Sequence, residues 1–246
     1  MADERILATL WQTIEDRKVL FIVGGIGVAP VKAMLERLDR RHQPIVLYRA
    51  SRHDDLVYAN ELRGTARELG GELMTLVGPT ATLAVKLFDE TRQLHGLSLE
   101  YRLLLEVAAL LHDIGHFINM TGHHKHTQYL LNVTPIIGLN AAQMSIVANV
   151  ARYHRKSFPK PQHEYYRLLS SKDRVVVSKL ASLLRLADAM DNEHSSRVTD
   201  FEVEYKKPKM ILRLKGEGDA LLEKWSLARK SDLFASVFST KVVVEE

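Results

Sequence analysis

The sequence contains no cysteine among its 246 residues. Disulfide bonds, thiolate metal sites and cysteine nucleophiles are therefore excluded, and this absence suits a reducing cytoplasm, which we expect as the location. Hydrophobic runs are short, and none approaches the ~20 residues that a membrane-spanning helix needs. The first residues, MADERILATLWQ, lack the regions of a secretory signal peptide. We therefore expect no membrane association.

Aromatic residues are few, at 7%, and they do not alternate with basic residues as on a base-stacking surface. Lys and Arg outnumber Asp and Glu by 34 to 30, which gives a net charge of +4. This mild excess is compatible with anionic ligands but does not favour nucleic acid as a partner. The hydrophobic content of 46% is that of a folded globular protein.

Residues 1–78 show a strand and helix alternation. The segment ADERILATLWQTIEDR can form one amphipathic helix, and the apolar runs VLFIVGG, PIVLYRAS and GELMTLVG predict three buried strands. Helical segments, PVKAMLERLDRR and DDLVYANELRGTARELG, separate the strands. This β-α-β-α-β order predicts a parallel three-stranded sheet of half-Rossmann type.

The rest of the chain has two further patterns. Residues 79–198 are helical in periodicity throughout, and the valine run at 175–177 is assigned to a helix because a long periodic segment follows it. Residues 199–246 predict a small ββαβ layer with one helix over DALLEKWSLARKSDLFASVF. The predicted fold class is α/β plus all-α, in three domains with these boundaries.

Histidine is the abundant functional residue type. There are 11 histidines, and seven lie from His112 to His163. The helix YRLLLEVAALL is apolar almost all round and leads directly into His112 and Asp113. A carboxylate at the end of a buried helix is costly unless it is compensated, and a divalent cation such as Mn, Mg or Fe compensates it well. Further imidazoles and carboxylates that could complete such a site follow along the chain: His123, His124, His126, His154, Asp188 and Asp191.

Basic residues near His154 predict phosphate contacts, since arginine suits bidentate binding of phosphate. These residues are Arg152, Arg155 and Lys156. The alternative is that the histidines are ordinary core or surface residues and the basic residues only cover the solvated faces of helices.

The run Leu111-His112-Asp113-Ile114-Gly115 resembles the motif of HD-domain metal-dependent phosphohydrolases. The later segments GHHKHTQYLL, ANVARYHRK and RLADAMDNEHSSRV resemble the C-terminal helical region of the exopolyphosphatase/guanosine pentaphosphate phosphohydrolase family, over about residues 81–246. The resemblance implies a helical HD-domain core in which His112 and Asp113 are catalytic. The candidate metal ligands that it implies are His112, Asp113, His126, His154 and Asp188. The remaining histidines of the region and beyond are then assigned outside the ligand set, either beside it or exposed to solvent: His116, His123, His124, His163 and His194. The resemblance also implies a phosphate-rich substrate, polyphosphate or a guanosine polyphosphate.

Two departures from that family stand out. Pro79 and Thr80 occupy the place where HD domains have an additional histidine before the first helix. Residues 1–78 do not resemble the family's actin-like phosphatase domains, which carry its exopolyphosphatase active site. The alternative function is therefore a non-catalytic module that binds polyanions or dimerises. The sequence leaves open whether the chain forms a homodimer.

A glycine-rich segment follows the first predicted strand. Glycines between a strand and a helix let a pyrophosphate approach the backbone at the helix N-terminus. Residues 19–78 resemble half of a ferredoxin-reductase-like NAD(P)-binding module, which implies that Ser51 and Arg52 meet the adenosine ribose or its phosphate. The candidate cofactor residues are Gly24, Gly25, Gly27, Ser51 and Arg52. The alternative is a sheet fragment in a chimera of two families, natural or engineered, with residual NAD(P) affinity.

Overall fold

The computed structural model describes residues 19–24, 28–50, 53–77, 79–134, 136, 138–191, 197–216 and 218–245. The chain divides into two compact units, Met1–Gly78 and Pro79–Glu246. The predicted helix over residues 2–17 lies outside the described residues, as do four candidate cofactor residues and one of the histidines: Gly25, Gly27, Ser51, Arg52 and His194.

The first unit contains a parallel three-stranded sheet in the order β1-β2-β3. Its elements are β1 (Leu20–Gly24), α1 (Val28–Leu35), β2 (Ile45–Ala50), α2 (Ala59–Glu68) and β3 (Glu72–Val77). The central strand β2 is buried at Val46 and Tyr48, as the continuous apolar run of a parallel strand requires. Gly24, the remaining cofactor candidate, is the last residue of β1.

The helices of this unit are shorter than the sequence indicates. Helix α1 starts two residues before Pro30, which occupies its first turn, where no N–H donor is needed. It ends at Leu35 because, from Arg37 onward, the N–H groups bond three residues back instead of four, as Arg37 does to Met34. Helix α2 begins after Tyr58, whose left-handed backbone (φ 61°) separates it from the preceding turn.

The second unit contains the remaining elements. Its helices are α3 (Thr80–Glu90), α4 (Arg92–His95), α5 (Glu100–Leu111), α6 (His123–Val133), α7 (Ala141–Arg152), α8 (Glu164–Arg167), α9 (Ser171–Met190), α10 (Leu221–Lys230) and α11 (Asp232–Phe238). Its strands are β4 (Val198–Lys206), β5 (Lys209–Gly216) and β6 (Lys241–Glu245). Strand β5 pairs antiparallel with β4 and parallel with β6.

Helix α9 is the centre of the second unit. It contacts α3, α5, α7, α10 and α11, and every residue from Leu180 to Asp191 is buried. The valine run lies inside this helix, where Val176 and Val177 are buried and Val175 is exposed. A helix that is buried on all sides fixes the side chains that project from it, including Asp188.

Two helices predicted as continuous are broken in the structure. The first is interrupted at Thr91, whose hydroxyl donates to the Leu87 carbonyl at 2.6 Å. The helix predicted after Asp219 is interrupted at Ser231, where the Asp232 carboxylate accepts the Leu233 N–H at 2.8 Å. Both are side-chain bonds of the kind that competes with helix continuation. The predicted mixture of α and β structure is confirmed, while the half-Rossmann and HD-domain layouts and the three-domain division stay predictions.

Candidate metal and anion site

The candidate site begins at the end of α5. The helix buries Leu104, Leu105 and Ala108, ends at Leu111, and leads through His112 and Asp113 into a 3-10 turn. His112 Nδ1 donates to the Ala109 carbonyl at 2.8 Å, which leaves its Nε2 facing the carboxylates of the site. The predicted end of a buried helix thus carries both residues of the His-Asp pair.

Gly115 lets α6 approach this turn. A Cβ on Gly115 would lie 2.1 Å from the His123 carbonyl oxygen and 2.5 Å from the Thr127 nitrogen. The Thr127 hydroxyl joins the two segments, because it donates to the His112 carbonyl at 2.8 Å and accepts the Gly115 N–H at 3.0 Å. The absence of a side chain at this position therefore brings the start of α6 against the His-Asp turn.

Three imidazoles surround Asp113 as a result. Its Oδ1 lies 3.3 Å from His123 Nε2, 3.5 Å from His116 Nε2 and 3.6 Å from His154 Nε2. His154 follows α7 and is oriented by its Nδ1, which bonds the Ala151 carbonyl at 2.7 Å. Asp113, His116 and His123 each present a donor atom, all within 4.8 Å of one another, a grouping that can hold a metal ion.

A second carboxylate lies on the other side of His112. Asp188 reaches the site from α9, with its Oδ1 3.6 Å from His112 Nε2, while Asp113 Oδ2 is 3.2 Å from the same nitrogen. Lys230, at the end of α10, approaches Asp188 Oδ2 to 2.6 Å. His112 therefore lies between two carboxylates, one of which already has a cationic partner.

The pKa values follow these contacts. Burial disfavours the imidazolium of His112, but Asp113 and Asp188 outweigh it and raise the pKa to about 10. His112 thus carries a proton between the carboxylates unless another cation replaces it. Burial lowers the pKa of His154 to about 3 and also lowers that of His123. Burial opposes ionisation of Asp188, yet Lys230 and the nearby imidazoles hold its pKa well below the usual range.

Asp113, His116, His123, His154 and Asp188 form a cluster that opens into a cavity of about 610 Å³. Beyond the cluster, the lining residues are mostly polar, and most of the charged ones are basic: Arg155, Lys156, Arg185, Asp191, Trp225, Ser226, Arg229, Lys230 and Asp232. Arg185 is buried and bonds Asp232 Oδ1 and the Lys156 carbonyl, both at 3.2 Å. It thereby holds the segment after α7 against α9. The cavity can accept an anion next to the carboxylate and imidazole cluster.

The structure brings together four of the five predicted metal ligands: His112, Asp113, His154 and Asp188. The fifth, His126, lines a different cavity and has no recorded contact with Asp113 among the described residues. Two histidines that the sequence analysis assigned outside the ligand set contact Asp113 instead, His116 and the buried His123. Of the phosphate candidates, Arg155 and Lys156 line the cavity of Asp113, and Arg152 lines the second one.

The sequence contains a feature, Gly122, that could have identified His123 as a site residue. Gly122 has a left-handed backbone (φ 76°) and directly precedes α6, so that His123 is the first residue of the helix. Glycine is the residue that adopts this conformation readily, and it marks the break before the helix. The first turn of α6, rather than its second, is the part that reaches Asp113.

Thr80, for which the sequence analysis expects a histidine in HD domains, bonds to a residue that lines the cavity. It begins α3, is fully buried, and donates from its hydroxyl to Asp191 Oδ2 at 2.6 Å. Asp191 lies one residue beyond the end of α9. Thr80 therefore joins the start of α3 to the residue that follows α9.

The described residues include no helix that is both long and apolar enough to cross a bilayer. Comparison with known proteins gives a match over residues 79–234 to the family "Ppx/GppA phosphatase, domain III". This match covers more than half of the chain and includes the cluster and most of its basic lining. The chain belongs to the Ppx/GppA phosphatase family through this domain.

Two curated relatives are similar to parts of the chain. It is 26% identical over 185 residues to a guanosine-5'-triphosphate,3'-diphosphate pyrophosphatase of Pseudoalteromonas atlantica, covering 74% of this chain and 33% of the relative. It is 32% identical over 84 residues to the protein of the same name from Pseudoalteromonas translucida, covering 34% of this chain and 16% of the relative. The matches thus span a third or less of these relatives.

Proposed function

We propose that Pro79–Glu246 is an HD-type, metal-dependent phosphohydrolase domain that acts on polyphosphate or a guanosine polyphosphate. The observation that carries the proposal is Asp113 Oδ1 within 3.6 Å of three imidazole nitrogens, at the base of a cavity lined by arginine and lysine. Family membership and the phosphohydrolase names of the relatives support the same class of reaction.

The residues present fit a divalent cation. Carboxylate and imidazole donors suit Mn, Fe or Mg, and the imidazoles of His123 and His154 are kept neutral by burial, as ligation requires. Asp113, His116 and His123 would hold the cation, with His112, His154 and Asp188 as further candidate ligands. When bound, the metal would supply an activated water nucleophile and polarise a phosphoryl oxygen.

The chain's own residues bind and orient the anion. Arg155 lies close to the cluster, with its Nη1 3.5 Å from His123 Nε2, and Lys156 is exposed at the same cavity. Both offer positive charge to phosphate oxygens near Asp113. Arg185 keeps this segment in place through its bond to the Lys156 carbonyl. The substrate is therefore recognised by charge rather than by an apolar pocket.

The decisive experiment is elemental analysis of the purified protein and its Asp113→Ala variant, with thermal melts with and without manganese. We expect the variant to lose bound metal, the manganese-dependent shift and phosphate release from polyphosphate. Asp219→Ala is the matched control, since Asp219 is an exposed carboxylate that does not line the cavity. Equal metal content in parent and Asp113→Ala, with no manganese shift in the parent, would refute the proposal.

The second candidate is a non-catalytic module that binds polyanions or forms dimers. The observation that favours it is Lys230, which already neutralises Asp188 at 2.6 Å, together with Thr80 at the position of the missing ligand. This candidate predicts polyphosphate binding that needs no metal and gives no turnover. The elemental analysis and the phosphate-release assay separate it from the enzyme.

For the first unit we propose residual NAD(P) binding by a ferredoxin-reductase-like half-module. The parallel sheet and the position of Gly24 at the end of β1 support this assignment. Calorimetry with NADP⁺ on the parent and on Gly25→Val tests it, because a branched side chain would block approach of a pyrophosphate to the backbone. Absence of binding to the parent would reject the assignment and favour a packing role for the sheet.

A further inference from the structure

Arg152 is a buried cation without an acidic partner among the described residues. It is the last residue of α7 and is 8% exposed. Its guanidinium lies 5.6 Å from the centre of the Tyr153 ring, and its Nη1 has no hydrogen-bond partner within the described part of the chain. A buried guanidinium without an anion is costly, so that a ligand anion would offset the penalty.

This guanidinium lines a second cavity of about 460 Å³. The other lining residues come from the start of α6 and from the segment after α7, and no acidic residue is among them: Thr121, Gly122, His124, Lys125, His126, Lys156 and Ser157. Among them only Lys156 also lines the cavity of Asp113. The second cavity is thus basic and has its own set of side chains.

The N-terminus of α6 adds to the positive electrostatic potential of the second cavity. An α-helix presents free N–H groups and a partial positive charge at its start, and Gly122 has no side chain with which to cap them. The positive charge at this cavity comes from Arg152, Lys125 and Lys156.

We infer that this cavity is a second anion site, separate from the Asp113 cluster, that binds a phosphoryl group between Arg152 and the first turn of α6. The ligand is either free phosphate or one phosphoryl group of a longer polyanion. A charge-assisted bond from a buried arginine is stronger than one from an exposed lysine. Arg152 should consequently dominate the affinity, with Lys125 as a weaker contributor.

The test is calorimetry on the full chain in the presence of a metal chelator, with orthophosphate and tripolyphosphate as probes. We expect Arg152→Met to lower the affinity for both about tenfold or more, and Lys125→Ala to lower it a few fold. Lys172→Ala is the control, because Lys172 is exposed on α9 and lines neither cavity. It should bind like the parent.

The two probes distinguish the sources of the phosphoryl group. Equal affinity for both identifies a site for a single phosphate, and tighter binding of tripolyphosphate identifies a subsite for a polyanion. No binding to the parent, or equal binding by parent, Arg152→Met and Lys125→Ala, would overturn the inference. If Arg152→Met fails to fold, the affinity of Lys125→Ala, whose substitution is at an exposed position, decides between the two outcomes. Because the chelator removes divalent metal, the outcome is independent of the Asp113 proposal.

Discussion

Because α6 lies so close to the His-Asp turn, we expect that adding one methyl group at Gly115 lowers the stability of the fold substantially. In Gly115→Ala the new Cβ would lie 2.1 Å from the His123 carbonyl oxygen and 2.8 Å from Thr127 Oγ1. The His123 oxygen and the Thr127 nitrogen, at 2.5 Å, are backbone atoms, which cannot rotate away as the end of a flexible side chain could. Helix α6 must therefore move, and the Gly115 to Thr127 hydrogen bond of 3.0 Å must lengthen.

The expected cost is about 2–5 kcal/mol, from overpacking of about 1–3 kcal/mol and the loss of one or two buried hydrogen bonds of about 1 kcal/mol each. Urea unfolding followed by circular dichroism measures it. Gly64→Ala is the control, because Gly64 lies within α2 with nothing within 4 Å of the new Cβ. That variant should gain up to about 1 kcal/mol. A Gly115→Ala stability within about 0.5 kcal/mol of the parent would refute the packing argument.

Two further predictions concern charge. Lys230→Met removes the cation 2.6 Å from Asp188 and should lower stability by about 1–3 kcal/mol in chelator. Manganese should recover part of this loss if Asp188 faces a metal, and an equal loss with and without manganese would contradict that role. His95 is buried with a lowered pKa and is neutral in the fold, bonded to the Phe88 carbonyl at 2.8 Å. The stability that the neutral His95 contributes to the fold is present above pH 6.5, about the pKa of histidine in the unfolded chain. This contribution decreases as the pH is lowered below that value. His95→Gln should therefore flatten the decline in stability between pH 7 and 5 by up to about 1.4 kcal/mol per pH unit, as urea unfolding at several pH values would reveal.

The His-Asp turn could be predicted from the sequence because it depends on local pattern. The apolar residues of α5 indicate a buried helix, and a carboxylate at its end then needs a partner. Asp188 was predictable for a related reason, since it lies in a long periodic segment that forms a buried helix. In each case the side chain's environment follows from the helix that carries it.

The choice among the histidines could not be made in the same way. His123 and His126 lie three residues apart on α6, so that helical periodicity puts both on neighbouring parts of one face. The distinction depends on how α6 meets the turn at Gly115, which is a contact between separate segments. Arg152 and Arg155 differ similarly, because α7 ends between them and helical spacing no longer relates their directions.

The basic lining of the first cavity depends still more on distant contacts. Trp225, Arg229 and Lys230 belong to α10, more than a hundred residues after Asp113, and reach the cavity because α10 packs against α9. A division of the chain between residues 198 and 199 passes through this cavity. Removing the C-terminal segment would therefore expose Asp188 and take away the cation beside it. The two C-terminal helices, α10 and α11, are for this reason part of the candidate site. The charge of the site therefore cannot be predicted from the histidine-rich segment alone.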